Sequence, residues 1–249
     1  MAERSGNEFR SPVADLRAAT LARSRSIRAR IAFVTLLALG GCHEDPSARE
    51  WPAGTVVAID DVPVTASEVA QDTLSVLLIE PESGEVQWKR QAFLAVSLPR
   101  AVQRTRISSE ARDKARRSIE EQFERIQKGT LMGPRQDAEV FGHAMEGTWQ
   151  VLGLTVWGNA MALELNQWSE VLEEPGGFAR VRLLERKETK EPAYTSLRVD
   201  RLEASYLLTD PSWRPPDDEL QKHRLTIVDP AWDTIVPERV KYLMGVHGK

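Results

Sequence analysis

Cysteine is almost absent: Cys42 stands alone in 249 residues. No internal disulfide can form, and no cysteine-based metal site. Histidine is nearly as scarce, with only His43, His143, His223 and His247. No two of them have the helical spacing of a metal-binding pair. There is no Gly-x-Ser-x-Gly elbow, no Gly-Lys-Ser/Thr phosphate loop, no Gly-x-Gly-x-x-Gly and no internal repeat. The sequence therefore implies no metal and no cofactor. Positive charge is also lacking over most of the chain. The net charge is −4, yet the first 41 residues hold seven arginines against Glu3, Glu8 and Asp15. They carry +4, so the remainder carries −8. Nucleic acid is a poor partner for such a chain, because phosphate contacts need clustered Lys and Arg.

What is present suits a soluble globular body of one or two domains. Hydrophobic residues make up 41% and charged residues 28%, close to ordinary domain composition. The N-terminus reads differently. Its arginines precede a nine-residue apolar run, Ile31 to Leu39, too short to span a bilayer as a permanent anchor. A basic flank before a short apolar run is a secretory signal.

Leu39-Gly40-Gly41-Cys42 follows, and resembles a bacterial lipobox. The resemblance implies that residues 1–41 are removed and that the Cys42 thiol is lipidated. A conventional signal peptide followed by an unrelated cysteine is the alternative. The long basic region also allows a start codon further downstream. His43 is not the aspartate that retains some lipoproteins at the inner membrane, which leans towards the outer one. Residues 42–53 are polar, with Pro46 and Pro52, and read as a tether.

The body opens with Thr55 to Ile59, a β-branched run that predicts a strand. Asp60-Asp61-Val62-Pro63 turns. Thr65-Ala66-Ser67-Glu68 is a capping-box pattern opening a helix from Ala66 to Ile79. A second helix should start near Val86 with Trp88, Ala92, Ala95 and Val96 on one face, and Pro99 should end or kink it. Val57 to Val69, Val-Ala-Ile-Asp-Asp-Val-Pro-Val-Thr-Ala-Ser-Glu-Val, is similar to the recurring opening of SurA- and PrsA-like foldases. It departs from that pattern at Asp61 and Val62. Residues 54–107 are assigned to a helical, chaperone-like segment on this basis.

Arg100 to Ile107 reads as a strand. Ser108 or Ser109 can cap a helix to Lys128, stopped by Gly129, with Ala111, Ala115, Ile119, Phe123 and Ile126 as its apolar stripe. Its Arg/Glu face reads as solvated. Gly133-Pro134 is a break. Short helices are expected over Asp137 to Met145 and Trp157 to Leu165. Gly176-Gly177 then turns the chain into a strand with Phe178, Arg180, Arg182 and Leu184 on one face, and Ala179, Val181 and Leu183 on the other.

Met161, Ser169, Val171, Gly177 and Phe178 match positions of a parvulin-type prolyl isomerase, so residues 108–190 resemble a degenerate domain of that family. The resemblance implies an apolar proline pocket from Trp157, Met161 and Phe178; plain core packing is the other reading of the three. The family's histidines are missing: none lies at Gln103 to Arg106, and Ala179 occupies the second position. A catalyst of X-Pro rotation must bind the twisted amide better than the planar one, against a barrier of roughly 18–20 kcal/mol. Without that histidine pair, weak or no isomerase activity is expected.

Residues 191–249 match no family. Ser196 to Leu208 should add a strand to the sheet, with a bulge near Arg201. Asp210-Pro211 and Pro215-Pro216 mark a loop, Asp217 to His223 a short helix, and Leu225 to Val228 a short apolar run. Trp213 and Trp232 either clamp this tail onto the body or stand exposed for a client. His143 and His223 read as surface residues. The adjacent carboxylates Glu173-Glu174 and Asp217-Asp218 should diverge into solvent.

The sequence thus predicts an α+β fold: a small, mostly antiparallel sheet with packed helices, preceded by a helical chaperone-like segment. The expected function is that of a cell-envelope protein, anchored through Cys42 and facing the periplasm or exterior, that binds unfolded or extended polypeptide. Two alternatives stand beside it. One is an active prolyl isomerase with a non-standard site. The other is a structural lipoprotein with one dedicated protein partner.

Overall fold

Among the described residues, seven strands fall into two small antiparallel sheets, with helices packed on both. The computed structural model describes residues 50–129, 141–207 and 213–246. These belong to one compact unit, Arg49–Lys249, and the fold is α+β. The signal-peptide and Cys42 readings lie outside the described residues, as do His43, His247, Gly133-Pro134 and Asp210-Pro211. Among the described residues no helix is long and apolar enough to cross a membrane.

The first lobe begins with β1 (Thr55–Ile59) and β2 (Val62–Thr65), an antiparallel hairpin in which Ile59 faces Val62. The turn is only Asp60-Asp61, so Val62 and Pro63 belong to β2 rather than to the turn. Asp60 sits at φ 52°, a left-handed position that a short polar side chain tolerates. Its carboxylate holds the turn by accepting from the Arg224 amide at 2.7 Å. The capping box forms as the sequence predicts. The Thr65 hydroxyl accepts from the Glu68 amide, and Glu68 reaches back to the Thr65 amide at 2.8 Å. It starts α1 (Ala66–Ile79).

α2 (Glu85–Ala92) follows, then a π turn over Phe93–Ser97 and α3 (Leu98–Arg104). Pro99 does not end the helical run. The Leu98 amide bonds five residues back to the Phe93 carbonyl. This wider turn lies directly before the proline, whose ring crowds the ordinary helical carbonyl position. The strand expected over Arg100 to Ile107 is therefore helix up to Arg104. Leu98, Ala101 and Val102 are buried at helical spacing, and that burial overrides the local appearance of an extended run.

The chain returns to this lobe at its end. β7 (Leu225–Ile227) pairs with β1, giving the order β2-β1-β7. α7 (Asp217–Leu220) and α8 (Glu238–Met244) flank it. Val57, Val69, Phe93 and Val102 share one core with Leu220, Trp232, Val240 and Met244. Trp232 is buried edge-on to Phe93, and Trp213 packs against the same core beneath Arg106. The two tryptophans hold the tail on the body. N-terminal and C-terminal residues thus build one lobe around everything between them.

The second lobe is the sheet β3-β6-β5-β4, formed by β3 (Phe141–Gly147), β4 (Leu172–Glu174), β5 (Gly177–Lys187) and β6 (Ser196–Ser205). The segment expected over 191–249 divides between the lobes, since β6 is a central strand of this sheet. Its bulge lies in β5: Leu183 faces Val199 and Glu185 faces Arg198, leaving Leu184 as the extra residue. Residues 141–145, expected to be helical, run instead as β3, with Met145 opposite Val199. Pairing along β6 outweighs the weak helical preference of Ala-Met-Glu. α5 (Trp149–Leu152) and α6 (Leu154–Ala160) cover one face through Leu152, Val156 and Trp157. The expected helix over 157–165 therefore starts earlier and stops at Ala160. The long α4 (Ser109–Gln127), capped by Ser108, covers the other face through Ile119 and Phe123.

The lobes meet where α1 crosses α6. A Cβ built on Gly158 would lie 1.8 Å from the Ser75 hydroxyl and 2.5 Å from its Cβ, so only glycine permits this approach. Gly158→Ala should force the helices apart and cost about 1–3 kcal/mol in urea unfolding. Adding Ser75→Gly to that variant should restore part of the loss. A neutral Gly158→Ala would mean that the crossing is looser than it stands here.

Candidate functional site

Six charged side chains converge where β4 enters the seam between the lobes. Glu173 is held by two arginines at once. Arg104 donates to its carboxylate through Nε at 2.8 Å and Nη2 at 2.5 Å, and Arg112 through Nε and Nη2, both at 2.8 Å. These are forked pairs with good geometry for charge-assisted bonds. Arg104 also reaches Glu68 at 2.8 Å. Arg100, one turn earlier, bonds the Glu173 carbonyl at 3.1 Å and Asp72 at 2.7 Å. Asp72 accepts a second bond from Ser97 at 2.7 Å. Helix α1 supplies Glu68 and Asp72, α3 supplies Arg100 and Arg104, and α4 supplies Arg112. A cleft of about 160 Å³ lies beside the cluster.

Electrostatics separates the carboxylates. Burial alone would push Glu173 up, but the Arg104 and Arg112 hydrogen bonds override it and hold the group down at about 2. Glu68 is likewise lowered: burial raises it, and Arg104 outweighs that. Burial wins at Asp72, which is raised despite facing Arg100. Glu174 points to the other side of β4, where Arg201 bonds it at 2.7 Å; burial raises it as well. The adjacent pair Glu173-Glu174 does diverge, but into two ion-pair networks rather than into solvent. Arginine does not give up its proton, so Arg100, Arg104 and Arg112 act here as fixed charges that hold α1, α3, α4 and β4 together.

Of the three residues expected to form a proline pocket, Trp157 and Met161 share one cluster and Phe178 stands apart. Trp157 is fully buried and its indole N–H donates to the Thr195 carbonyl at 3.0 Å. Met161 packs against the same apolar cluster. Phe178 lies in the cluster on the opposite side of the sheet, with Ile119 and Phe123, edge-on to Tyr206 at 5.8 Å. The physical reason is strand alternation: Ala179, next in the chain, is the residue that faces Trp157's cluster. Trp157 and Phe178 are buried in these two clusters, and Met161 is partly buried against the first.

The histidines divide. His143 is exposed on β3 and lowered, mainly by its partial burial and then by Arg201. His223 is not a plain surface residue. Its side chain is 9% exposed, with Nδ1 2.7 Å from Asp60 and Nε2 3.1 Å from Glu219. Among the described residues no group of three or more His, Cys, Asp or Glu is placed to hold a metal ion.

Sequence reasoning missed a second feature, a run of depressions along the seam. One is lined by Gln87, Arg90, Gln91, Leu94, Ala95 and Arg214, with a volume of about 320 Å³. It shares Ala95 and Arg214 with a narrower one that includes Val96, Trp149, Leu154 and Pro175. Only Trp88, Ala92, Ala95 and Val96 were legible as a helical face; Arg214 arrives from far along the chain. No family model, no curated protein and no solved structure matches this chain.

Glu173 generates a pH prediction. Its ordinary value near 4.5 falls to about 2 in the folded protein. Its contribution is therefore fully present above about pH 5 and disappears as pH falls towards 2, where the folded group takes up its proton. Glu173→Gln should cost about 3 kcal/mol at pH 7. The gap between wild type and variant should shrink steadily below pH 5 in urea titrations. A gap of constant size down to pH 2 would show that the charge itself is not the stabilising element.

Proposed function

We propose that this protein is a lipid-anchored component of the cell envelope that binds unfolded or extended polypeptide, with weak or no prolyl isomerase activity. Cys42 is the anchor, and the body faces the periplasm or exterior. The observation that carries the binding reading is the pair of connected depressions along the seam. They are two adjoining, partly apolar depressions that share Ala95 and Arg214, open at the surface and together lined by residues of both lobes. An extended chain fits such a shape better than a compact small molecule does. The similarity of residues 57–69 to the opening of SurA- and PrsA-like foldases supports the same reading. The departure from a catalytic parvulin is physical. Trp157 and Phe178 lie on opposite faces of one sheet, so no single proline ring can touch both.

Two measurements test the proposal. Cys42→Ala should move the protein from the membrane fraction to the soluble fraction of a bacterial host, and the wild-type N-terminus should carry lipid mass. If wild type and variant fractionate alike, the anchor is wrong. Exchange NMR on an Ala-Pro peptide should show peptide-induced shifts of seam residues with no gain in cis–trans rate over buffer. A clear gain would favour the isomerase reading. Neither shifts nor gain, with capture of one folded protein, would favour a structural lipoprotein with a dedicated partner.

A further inference from the structure

We infer that the cleft beside the Glu173 cluster binds a neutral, multiply hydroxylated ligand, a single sugar ring or a polyol of that size. The inference goes beyond the polypeptide-binding reading and does not depend on it. Its first support is charge balance. Three carboxylates, Glu68, Asp72 and Glu173, and three guanidiniums, Arg100, Arg104 and Arg116, line the cleft. Each of the six is paired: Asp72 with Arg100, Glu68 and Glu173 with Arg104, and Arg116 with Glu120. A charged ligand would lose its water and meet a like charge, with no spare counter-charge to compensate. A neutral ligand avoids that cost and meets donors and acceptors already fixed by one another.

The second support is an uncommitted acceptor on the cleft wall. Asp72 is only 6% exposed, and its side-chain bonds from Ser97 and Arg100 both end on Oδ2. Among the described residues no hydrogen bond reaches Oδ1, and that atom is not sealed from solvent. Polar atoms this deep seldom go without a partner. Asp72 lines the cleft, so Oδ1 is the atom it offers to a ligand hydroxyl. Arg100 and Ser97 already hold the carboxylate in place, and little side-chain freedom is lost when a ligand arrives. Burial also raises Asp72, which makes a second anion beside it still less favourable.

The third support is the placement of the remaining groups. Gln71, exposed, stands next to Asp72 on α1, and Thr155 comes from α6. Asp72 lies one helical turn before Ser75 and Thr155 one turn before Gly158, so the close crossing of these helices brings both to one cleft. A carboxylate oxygen, a carboxamide and a hydroxyl present acceptors and donors at separate points. Several hydroxyls on one ring can meet them together, whereas a lone amide cannot. Val171, Leu172 and Phe178 add an apolar wall for the C–H face of the ring. The volume is about 160 Å³. Sites for drug-sized ligands run to roughly 300–1,000 Å³, so the occupant is one ring rather than a chain of them.

The test is saturation-transfer NMR on the full chain with neutral probes: the methyl glycosides of glucose, galactose and mannose, and N-acetylglucosamine. At least one should bind with a Kd of the order of 1 mM. Glucosamine and glucuronate, the cationic and anionic counterparts of glucose, should bind about tenfold more weakly than methyl glucoside. Gln71→Ala and Thr155→Val each remove one hydrogen bond to the ligand. Each should weaken binding about three- to tenfold with the melting temperature unchanged. No transfer to any neutral probe overturns the inference and leaves the polypeptide reading standing. Equal or tighter binding of a charged sugar removes the charge-balance argument and the inference with it. Unchanged binding in both variants places the sugar elsewhere and also overturns it. Acetamide displacing the sugar at equal concentration would assign the cleft to an amide instead. Failure of the Ala-Pro peptide to bind removes the polypeptide reading without touching this one.

Discussion

Glu173 is the point on which the two lobes depend. Its carboxylate takes four hydrogen bonds, two from Arg104 on α3 and two from Arg112 on α4. Its backbone carbonyl takes another from Arg100. One residue of a three-residue strand thus ties the N-terminal helices to the second sheet. Largely buried ion pairs carry a desolvation cost that often cancels their attraction. Here the cost is met by complete pairing, with both carboxylate oxygens doubly engaged. Removing the acid would leave two guanidiniums facing each other, which is worse than never having built the cluster. The network therefore fixes which surfaces meet more than it adds to net stability.

That clamp explains why the chain can split its first lobe in two. Residues 55–104 and 213–246 share a core, although more than a hundred residues separate them. The intervening segment must leave and return at a fixed place. The Gly158–Ser75 crossing sets the approach of α6 to α1, and the Glu173 cluster sets the position of β4. Asp60 does the same for the returning tail. Its side chain accepts from the Arg224 amide and sits 2.7 Å from His223, placing β7 beside β1. Each junction is made by a polar or glycine contact of high specificity, while the apolar cores on either side supply the bulk of the burial.

Much of the local structure was legible because its causes are local. The capping box at Thr65 and Glu68, the Ser108 cap of α4 and the two-face alternation of β5 each depend on residues within one or two turns. The α+β class followed from them. The failures share one cause. Arg100 to Arg104 looked extended because its arginines hide a helical stripe whose apolar partners lie in β1, β2 and the C-terminal tail. Residues 141–145 looked helical because β6, which pairs them, lies more than fifty residues on. Glu173 and Glu174 looked solvated because Arg104, Arg112 and Arg201 come from three separate elements. Trp157, Met161 and Phe178 had the right chemistry for a pocket, but alternation along β5 turned Phe178 away. No pattern in the sequence brings Arg90 and Arg214 together, because their meeting depends on the tail folding back.

The seam also explains why the two adjoining depressions lie where they do. Two lobes clamped at β4 and crossed at Gly158 cannot close along their whole length, because the clamp fixes their separation on either side of itself. On one side the gap is filled by paired charges. On the other it is lined by Ala95, Val96, Leu154 and Pro175, side chains too small or too rigid to fill it. The π turn at Phe93–Ser97 contributes directly. By widening the helix before Pro99 it carries Ala95 and Val96 into the seam, while Phe93 and Ser97 stay buried within the first lobe. A regular helix would rotate the residues on either side of this stretch relative to one another. The proline that seemed to be a stop signal thus accompanies the turn that shapes this depression.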